Sequence, residues 1–536
     1  MSVPAPASHR WAWIALLALL WLVRVPSLVQ PMASDQGLYA YAGQRLMAGD
    51  APYAGAWDQK PPGIHVVYGL LWSVWPDESV VAAADLLAAG LTAWLLVLLG
   101  RRRGTEAAGL AAAAILLLLG NPALTQRLGG VFVRAQCETF IALAVTWAMV
   151  LAAADDRRRW QLVGIGLLLS AAFWLKYNAA AYALPVLVAL ACWPAAAANP
   201  RQGWLREVGI VAAAGATGVA VPLVLMALSG SLTDLYLATI AYNTAYSGDT
   251  YDGLSGVLRY ALMFPIERAR NDALWFAGGV GLLAGVGAWV ASGRDDRRPA
   301  ATLAVTAGWL AAAWLSILIN GGRDLPQYFV QASPALGLAA GLGLMPLIQR
   351  AALRHVALGW SLAGLVLYGA HRASGFEQLV AQTRADLSML LRRTDRATYL
   401  ADFGGRPQDK FVASSIAALV THIRATTAPA DTIYVFGFSP GVPVLADRRS
   451  ASRFHWSRPI TIEFASDHPG YGSAGLLGEL QRAQPALVAL QRDSWGAPRG
   501  IHSSDVFHST PMLEGWLTAG YTREADVGRF ELWRRN

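Results

Sequence analysis

The sequence predicts an all-α, multi-pass membrane domain followed by a C-terminal α/β domain outside the membrane. Hydrophobic residues make up 55% of the 536 residues and charged residues only 15%, which is too apolar for an ordinary soluble protein. The apolar residues form blocks of about 20, long enough to cross a bilayer as helices. Helices also satisfy the backbone hydrogen bonds that lipid cannot. After residue 371 this pattern stops, and short strand-like runs follow.

About 11 spanning helices are predicted in the membrane domain, residues 1–371. The first is long, has no clear small-residue cleavage site and is followed by more spans, so we interpret it as a mature helix and not as a signal peptide. The predicted spans are residues 11–28, 80–100, 106–122, 136–154, 159–175, 178–196, 207–229, 272–292, 300–319, 328–348 and 355–371.

The orientation follows from clusters of basic residues in the loops. If the N-terminus is cytoplasmic, every cluster lies on the cytoplasmic side, as the positive-inside rule requires. The same loops account for the net charge of +8, so we expect the lipid bilayer as a partner and no nucleic acid. The clusters are Arg101 to Arg103, Arg157 to Arg159, Arg201 with Arg206, Arg294 with Arg297 and Arg298, and Arg350 with Arg354.

The opposite face carries two long loops, residues 29–79 and 230–271, and the C-terminal domain, residues 372–536. In that domain "DTIYVFGFSP" and "PALVALQ" are typical of short buried strands, and "YTREADVGRFELWRR" of a closing strand pair. "FVASSIAALVTHIRA" indicates an amphipathic helix. We therefore predict an extracytoplasmic α/β domain, which is periplasmic if the protein lies in the inner membrane of a bacterium.

Polar residues at the outer helix ends are the candidate site, because ionisable groups at a membrane boundary usually pair, snorkel or line a wet cavity. A sugar on a polyprenyl phosphate needs cations to hold the departing phosphate and a carboxylate to deprotonate an acceptor hydroxyl. Asp35 is the candidate base. The candidate phosphate ligands are Lys60, Lys176, Arg134 and Arg323. The candidate pocket residues are Tyr39, Asp58, Glu138, Tyr177, Gln327 and Tyr328, and Tyr41, Tyr53 and Trp57 are candidates for the sugar or lipid entrance.

Several of these residues also have a structural interpretation. Asp35 is compatible with capping the helix that follows Ser34. Tyr41 and Tyr53 are compatible with an interfacial aromatic belt. For the cations, Lys176 is compatible with snorkelling to headgroups, and the Lys-Pro-Pro step after residue 59 with a rigid turn. Arg134 and Glu138, four residues apart, are compatible with pairing to each other.

The order of motifs resembles the GT-C membrane glycosyltransferases, in particular bacterial members akin to protein O-mannosyltransferases and to the lipid A aminoarabinose transferase. The first loop, "SDQGLYAYAGQRLMAGDAPYAGAWDQKPPG", is similar to the family's first external loop. The resemblance implies that Asp35 is the catalytic base and that Lys60 holds the donor phosphate. "AQCETFIALAVTWAMVLA", "WLKYNAAAYALPVL" and "GGRDLPQYFVQASPAL" are similar to later family motifs and give Glu138, Lys176 and Gln327.

The chain departs from the family pattern at three places. Gln36 replaces the second acid of an Asp-Glu pair, Gln59 replaces the acid before Lys-Pro-Pro, and Gln327 replaces a histidine. The resemblance implies no required cofactor, because family members in this branch are generally thought to work without a metal. Asp35, Asp58 and Glu138 carry the oxygen ligands that divalent cations prefer, so binding of Mg²⁺ or Mn²⁺ stays an open alternative.

The resemblance thus implies an inverting enzyme that moves a sugar from a polyprenyl-phosphate donor to a hydroxyl of a lipid, glycan or protein. Two alternatives remain. One is a transporter or flippase of a lipid-linked sugar, although neither internal repeats nor broken mid-membrane helices are evident. The other is a non-catalytic protein that keeps the fold.

Overall fold

The computed structural model describes two compact units of this chain. The described residues are 7–125, 128–194, 200–248, 250–291, 297–354, 356–372, 375–406, 409–493 and 500–536. We call residues 1–28, 82–223 and 247–384 the apolar unit, and residues 29–81, 224–246 and 385–536 the sheet unit.

Helices account for most of the first 372 residues. The α-helices are Ala7–Arg24, Ser34–Met47, Gly63–Val74, Ser79–Arg103, Glu106–Leu119, Pro122–Thr125, Cys137–Ala152, Arg159–Leu175, Ala183–Cys192, Pro200–Leu228, Leu232–Tyr236, Tyr242–Gly248, Gly253–Asn271, Ala273–Ala291, Arg297–Ile319, Ser333–Arg354 and Val356–Arg372. Short 3₁₀ or π turns occupy Val25–Val29, Leu128–Gly130, Tyr177–Tyr182, Leu237–Ala241 and Pro326–Ala332.

Six of the described helices are long and apolar enough to cross a membrane, so the chain is a multi-pass membrane protein by length and composition. They are Arg10–Val29, Ser79–Arg103, Arg201–Leu228, Ala273–Ala291, Arg298–Ile319 and Pro326–Ile348. Four further predicted spans contain apolar helices of only 10–17 residues. Helices this short cross a bilayer only if flanking residues extend them or the bilayer is locally thinner. The count of 11 therefore stays a prediction. Of the basic residues that set the predicted orientation, Arg294 lies outside the described residues.

Small residues let neighbouring helices of the apolar unit approach closely. Helices Ala273–Ala291 and Ser333–Arg354 meet at Gly281 and Gly343, where a Cβ on Gly343 would lie 1.8 Å from the carbonyl oxygen of Gly281. Because lipid supplies no hydrophobic drive between helices, such close packing is a main source of their association. Substituting either glycine would force these two helices apart.

The sheet unit contains a five-stranded mixed sheet in the order β2-β1-β3-β5-β4. The strands are β1 (Thr432–Phe436), β2 (Arg449–Ser450), β3 (Leu487–Gln491), β4 (Tyr521–Val527) and β5 (Phe530–Arg535). β1 pairs in parallel with β2 and β3, and β5 pairs antiparallel with β3 and β4. The helices after residue 375 are Phe376–Leu390, Arg396–Ala401, Ala413–Thr426, Val442–Ala446, Arg458–Thr461, Gly472–Ala483, Ser503–Ser509 and Pro511–Gly520.

The burial of this sheet explains why its strands could be predicted from the sequence. β1 and β3 are almost fully buried and therefore form unbroken apolar runs, as central parallel strands do. Ile433, Val435 and Leu487 pack there against Leu419 and Ile423 of helix Ala413–Thr426. The predicted strands in "DTIYVFGFSP" and "PALVALQ", the predicted helix and the closing strand pair are confirmed.

Candidate functional site

Asp35 lies in the first turn of helix Ser34–Met47 in the sheet unit. The N-cap is Ala33, in extended conformation, so Asp35 does not cap the helix by its side chain at the N-cap position. A carboxylate in the first turn is favoured by the positive end of the helix dipole. Asp35 is partly exposed, whereas its neighbours Ser34 and Gln36 are buried. The local fold thus presents one acid and hides the polar residues on either side of it.

Lys60 lies three residues before the start of helix Gly63–Val74 and is also partly exposed. Its carbonyl oxygen accepts a hydrogen bond of 2.9 Å from the hydroxyl of Tyr53. Two residues earlier, Asp58 is fully buried and lies 2.9 Å from Nε2 of His65. Asp58 is therefore buried and paired with His65, and the backbone carbonyl of Lys60 is held by Tyr53.

Tyr41 and Tyr53 of the first loop are buried, 0% and 3% exposed, so their interpretation as an interfacial belt is wrong. Tyr39 is 1% exposed and its ring meets that of Tyr68 edge-on at 5.4 Å. The ring of Tyr41 lies 4.8 Å from that of His455. These rings fill the core of the sheet unit, because segments distant in sequence cover them.

Trp57 is likewise fully buried, in an aromatic cluster of the sheet unit. Its ring lies 5.2 Å from Tyr242, 6.0 Å from Trp456 and 5.9 Å from Phe464, measured between centroids. Such packing contributes through buried area and ring geometry. The role that follows for Trp57 is to hold the loop, and not to line an open entrance.

In the apolar unit, three predicted site residues meet. Nζ of Lys176 lies 2.5 Å from Oε1 of Glu138 and 4.4 Å above the ring of Tyr328. Helix Cys137–Ala152 supplies Glu138 in its first turn, and Lys176 follows the last residue of helix Arg159–Leu175. The cluster is buried, with Glu138 1% and Lys176 7% exposed. The sequence interpretation of Lys176 as a snorkelling residue does not fit this burial.

Tyr177, beside this cluster in sequence, is partly exposed, and its ring packs against Phe173 in a tilted arrangement with centroids 4.8 Å apart. Gln327 is buried, and its Oε1 has no hydrogen-bond partner among the described residues. Arg323 is partly exposed, and its backbone N–H donates to the carbonyl of Gly321 at 2.9 Å.

Arg134 lies in a buried charge cluster that the sequence did not reveal. Its Nη1 lies 3.4 Å from Oδ2 of Asp85, and the same oxygen accepts a 2.9 Å hydrogen bond from Arg24. Arg134 also donates to the carbonyl of Gly129 at 3.1 Å. Asp85 was not singled out in the sequence because only the fold brings it to the two arginines.

The sheet unit also holds a cavity of about 570 Å³. It is lined by Met32, which lies just before helix Ser34–Met47, by Gln44 of that helix, and by Phe411 and Val444. Glu78 lies on its wall and forms an ion pair with Arg396. Within the described part of the chain, no group of three His, Cys, Asp or Glu side chains has the arrangement of a metal site.

Solved structures provide the comparison with known proteins. No protein-family model matches the sequence, and neither does any curated protein. The chain is similar to ArnT from Cupriavidus metallidurans bound to undecaprenyl phosphate, with a TM-score of 0.58, 17% sequence identity and 98% of each chain covered. It is similar to the same protein in the apo state with a TM-score of 0.56, 15% identity and the same coverage. The chain therefore has the fold of ArnT, the GT-C membrane glycosyltransferase fold, over nearly its whole length.

Proposed function

We propose that this chain is an inverting membrane glycosyltransferase that takes a sugar from a polyprenyl-phosphate donor. The acceptor is a hydroxyl of a lipid, glycan or protein on the outer face of the membrane. The observation that carries the proposal is which side chains of the first loop are buried and which are exposed. The aromatic side chains Tyr39, Tyr41, Tyr53 and Trp57 of this loop are buried, whereas the acid Asp35 and the cation Lys60 are partly exposed. The similarity to ArnT bound to undecaprenyl phosphate supports the same chemistry.

The proposed reaction needs one base and one stabilised leaving group. Asp35 takes the proton of the acceptor hydroxyl while the acceptor oxygen forms a bond to the anomeric carbon. The bond from that carbon to the phosphate oxygen breaks, and its electron pair stays on the departing polyprenyl phosphate. The phosphate diester, with one negative charge, thus becomes a monoester with two, and cations aimed at this group lower the barrier.

Lys60 is the proposed first partner of the departing phosphate, because this lysine is partly exposed and its backbone carbonyl is held by Tyr53. We propose that Lys176 and Arg323 assist. Lys176 is preorganised by Glu138 and Tyr328, so it needs little reordering on binding. Arg134 remains a proposed phosphate ligand whose guanidinium is already shared with Asp85.

The remaining assignments concern the pocket and the location. We propose that Tyr177, Gln327 and Tyr328 line the donor site, and that the C-terminal domain is extracytoplasmic. The buried states of Tyr39 and Asp58 favour supporting roles for these two residues. The proposed location is the inner membrane of a bacterium, with the first loop in the periplasm.

The test is an assay on purified protein with a panel of undecaprenyl-phosphate sugars. We expect at least one of them to release undecaprenyl phosphate, with a new glycosidic bond on the acceptor found by mass spectrometry. Cells with and without the chain would show the matching change in lipid-linked sugars and surface glycans. Movement of an intact lipid-linked sugar across vesicles, without cleavage, would replace this proposal by a transporter.

A further inference from the structure

We propose that one segment of the C-terminal region, residues 437–456, positions the two reactive groups of the first loop, and that Trp456 is the positioning residue for Lys60. The inference rests on the function proposed above and gives the C-terminal region a definite role in it. The 437–456 segment begins directly after β1 and includes β2. It contacts the first loop on the Asp35 helix and again just before Lys60.

The first contact fixes the start of the Asp35 helix. The hydroxyl of Ser34 donates to the carbonyl of Phe438 at 3.0 Å. One helical turn on, a Cβ built on Gly37 would lie 2.6 Å from the Cα of Gly441, so the two backbones touch with no side chain between them. Asp35 lies between these two contact points, and its backbone is therefore held on both sides.

The same helix is held again at Tyr41, near its middle. The backbone N–H of Ser450 donates to the hydroxyl oxygen of Tyr41 at 2.8 Å. Both residues are buried. Loss of a hydrogen bond that leaves a buried donor or acceptor without a partner costs more free energy than loss of an exposed hydrogen bond. Ser450 belongs to β2, which pairs with β1. The Asp35 helix is thereby tied to the central strands of the sheet.

The second contact fixes the chain three residues before Lys60. The backbone N–H of Trp57 donates to the carbonyl of Arg453 at 2.8 Å. In return, the indole Nε1 of Trp456 donates to the carbonyl of Trp57 at 3.1 Å. The two indole rings also stack, with an interplanar angle of 26°. Both backbone groups of Trp57 are thus satisfied by the 437–456 segment.

Two further side chains complete the support of Lys60 without contributing charge. Asn243 donates to the carbonyl of Gln59 at 2.8 Å, and Tyr53 donates to the carbonyl of Lys60 at 2.9 Å. With Trp456 on the carbonyl of Trp57, three of the four carbonyls from residue 57 to residue 60 have a named donor. A lysine that stabilises a departing phosphate gains from such fixation, because misplacement by about 1 Å can cost about 100-fold in rate.

The test compares two Trp→Phe substitutions in the full-length protein. Trp456→Phe keeps an aromatic ring but removes the indole donor to Trp57. Trp533→Phe is the matched control, because no partner for its Nε1 lies among the described residues. Each change is combined with Lys60→Ala in a double-mutant cycle, and the affinity for undecaprenyl phosphate is measured together with hydrogen exchange of residues 53–60.

We expect Trp456→Phe to weaken undecaprenyl phosphate binding by about five- to tenfold, the worth of one hydrogen bond, and Trp533→Phe to leave it unchanged. In the Lys60→Ala background, Trp456→Phe should have no further effect, since it acts through Lys60. Additive losses, or unchanged exchange at residues 53–60 in Trp456→Phe, would overturn the positioning role. If the wild type does not bind undecaprenyl phosphate but exchange rises in Trp456→Phe alone, the donor assignment fails while the positioning of the loop stands.

Discussion

Glu138 and Lys176 form a buried ion pair whose Oε1 and Nζ lie 2.5 Å apart in the apolar unit. Removing one member of such a pair leaves the other charge buried without compensation, which costs about 3–5 kcal/mol. We therefore expect Glu138→Gln to lower the thermal stability in detergent strongly.

The control is Glu524→Gln, which removes the carboxylate that pairs with Arg534 in β5, where both side chains are about one-third exposed. Exposed pairs contribute about 0–1 kcal/mol, so its melting temperature should hardly move. Equal shifts for the two variants would show that Glu138 and Lys176 do not act as the buried ion pair described here.

Substitution of Lys60 separates charge from backbone support. We expect Lys60→Ala to weaken undecaprenyl phosphate binding by about tenfold or more, because a charge-assisted contact to phosphate is lost. Lys60→Arg should retain much of the binding, since it keeps the positive charge. Titration of purified variants with undecaprenyl phosphate measures this, and equal losses for both would assign Lys60 to the turn alone.

His455 makes the stability of the sheet unit depend on pH. Burial lowers its pKa to about 4, against the nearby charge of Asp58, which raises it. The unfolded chain takes up a proton near pH 6.5, whereas folded His455 stays neutral down to about pH 4. Its contribution is therefore fully present above pH 6.5 and is lost as the pH falls from 6.5 towards 4, by about 3 kcal/mol in all.

We expect His455→Gln to flatten the fall in melting temperature between pH 7 and pH 5. His468, which is exposed in the same unit, provides the control His468→Gln, and this variant should keep the wild-type slope. A His455→Gln variant with the full wild-type slope would place the titrating group elsewhere.

The orientation is tested by single cysteines and a membrane-impermeant maleimide. Ala54 is exposed in the first loop, and Asp156 is exposed beside the basic cluster that includes Arg157. In a Cys192→Ser background, where the remaining Cys137 is buried, we expect labelling of Ala54→Cys in whole spheroplasts. Asp156→Cys should be labelled only after the membrane is opened. The reverse pattern would place the first loop in the cytoplasm and contradict the proposed site.

The elements that local patterns determine were predictable from the sequence. The helix after Ser34 and the strands β1 and β3 follow from turn chemistry and apolar runs, which depend on neighbours in the chain. The span count was less accessible, because Tyr177–Tyr182 and Pro326–Ala332 form 3₁₀ turns, and composition does not show where regular α-helix ends.

Pairings between distant charges were not predictable. Arg157 was interpreted as one of the loop charges that set the orientation, yet it is buried and holds Glu207 through two hydrogen bonds of 2.8 and 2.9 Å. Asp85 was not considered, although it binds Arg24 and Arg134. The burial of Tyr41 likewise depends on Ser450 and His455, hundreds of residues away in sequence. Such contacts belong to the fold and leave no local pattern.

The most direct test of the proposed function is one paired measurement on Asp35→Asn. This change keeps the shape of the side chain and removes the base. We expect undecaprenyl phosphate to bind Asp35→Asn as tightly as the wild type. Release of undecaprenyl phosphate from the active undecaprenyl-phosphate sugar should fall by about 100-fold or more, the usual contribution of a general base. Turnover at the wild-type rate with intact donor binding would contradict the account, because Asp35 would then have no part in the reaction.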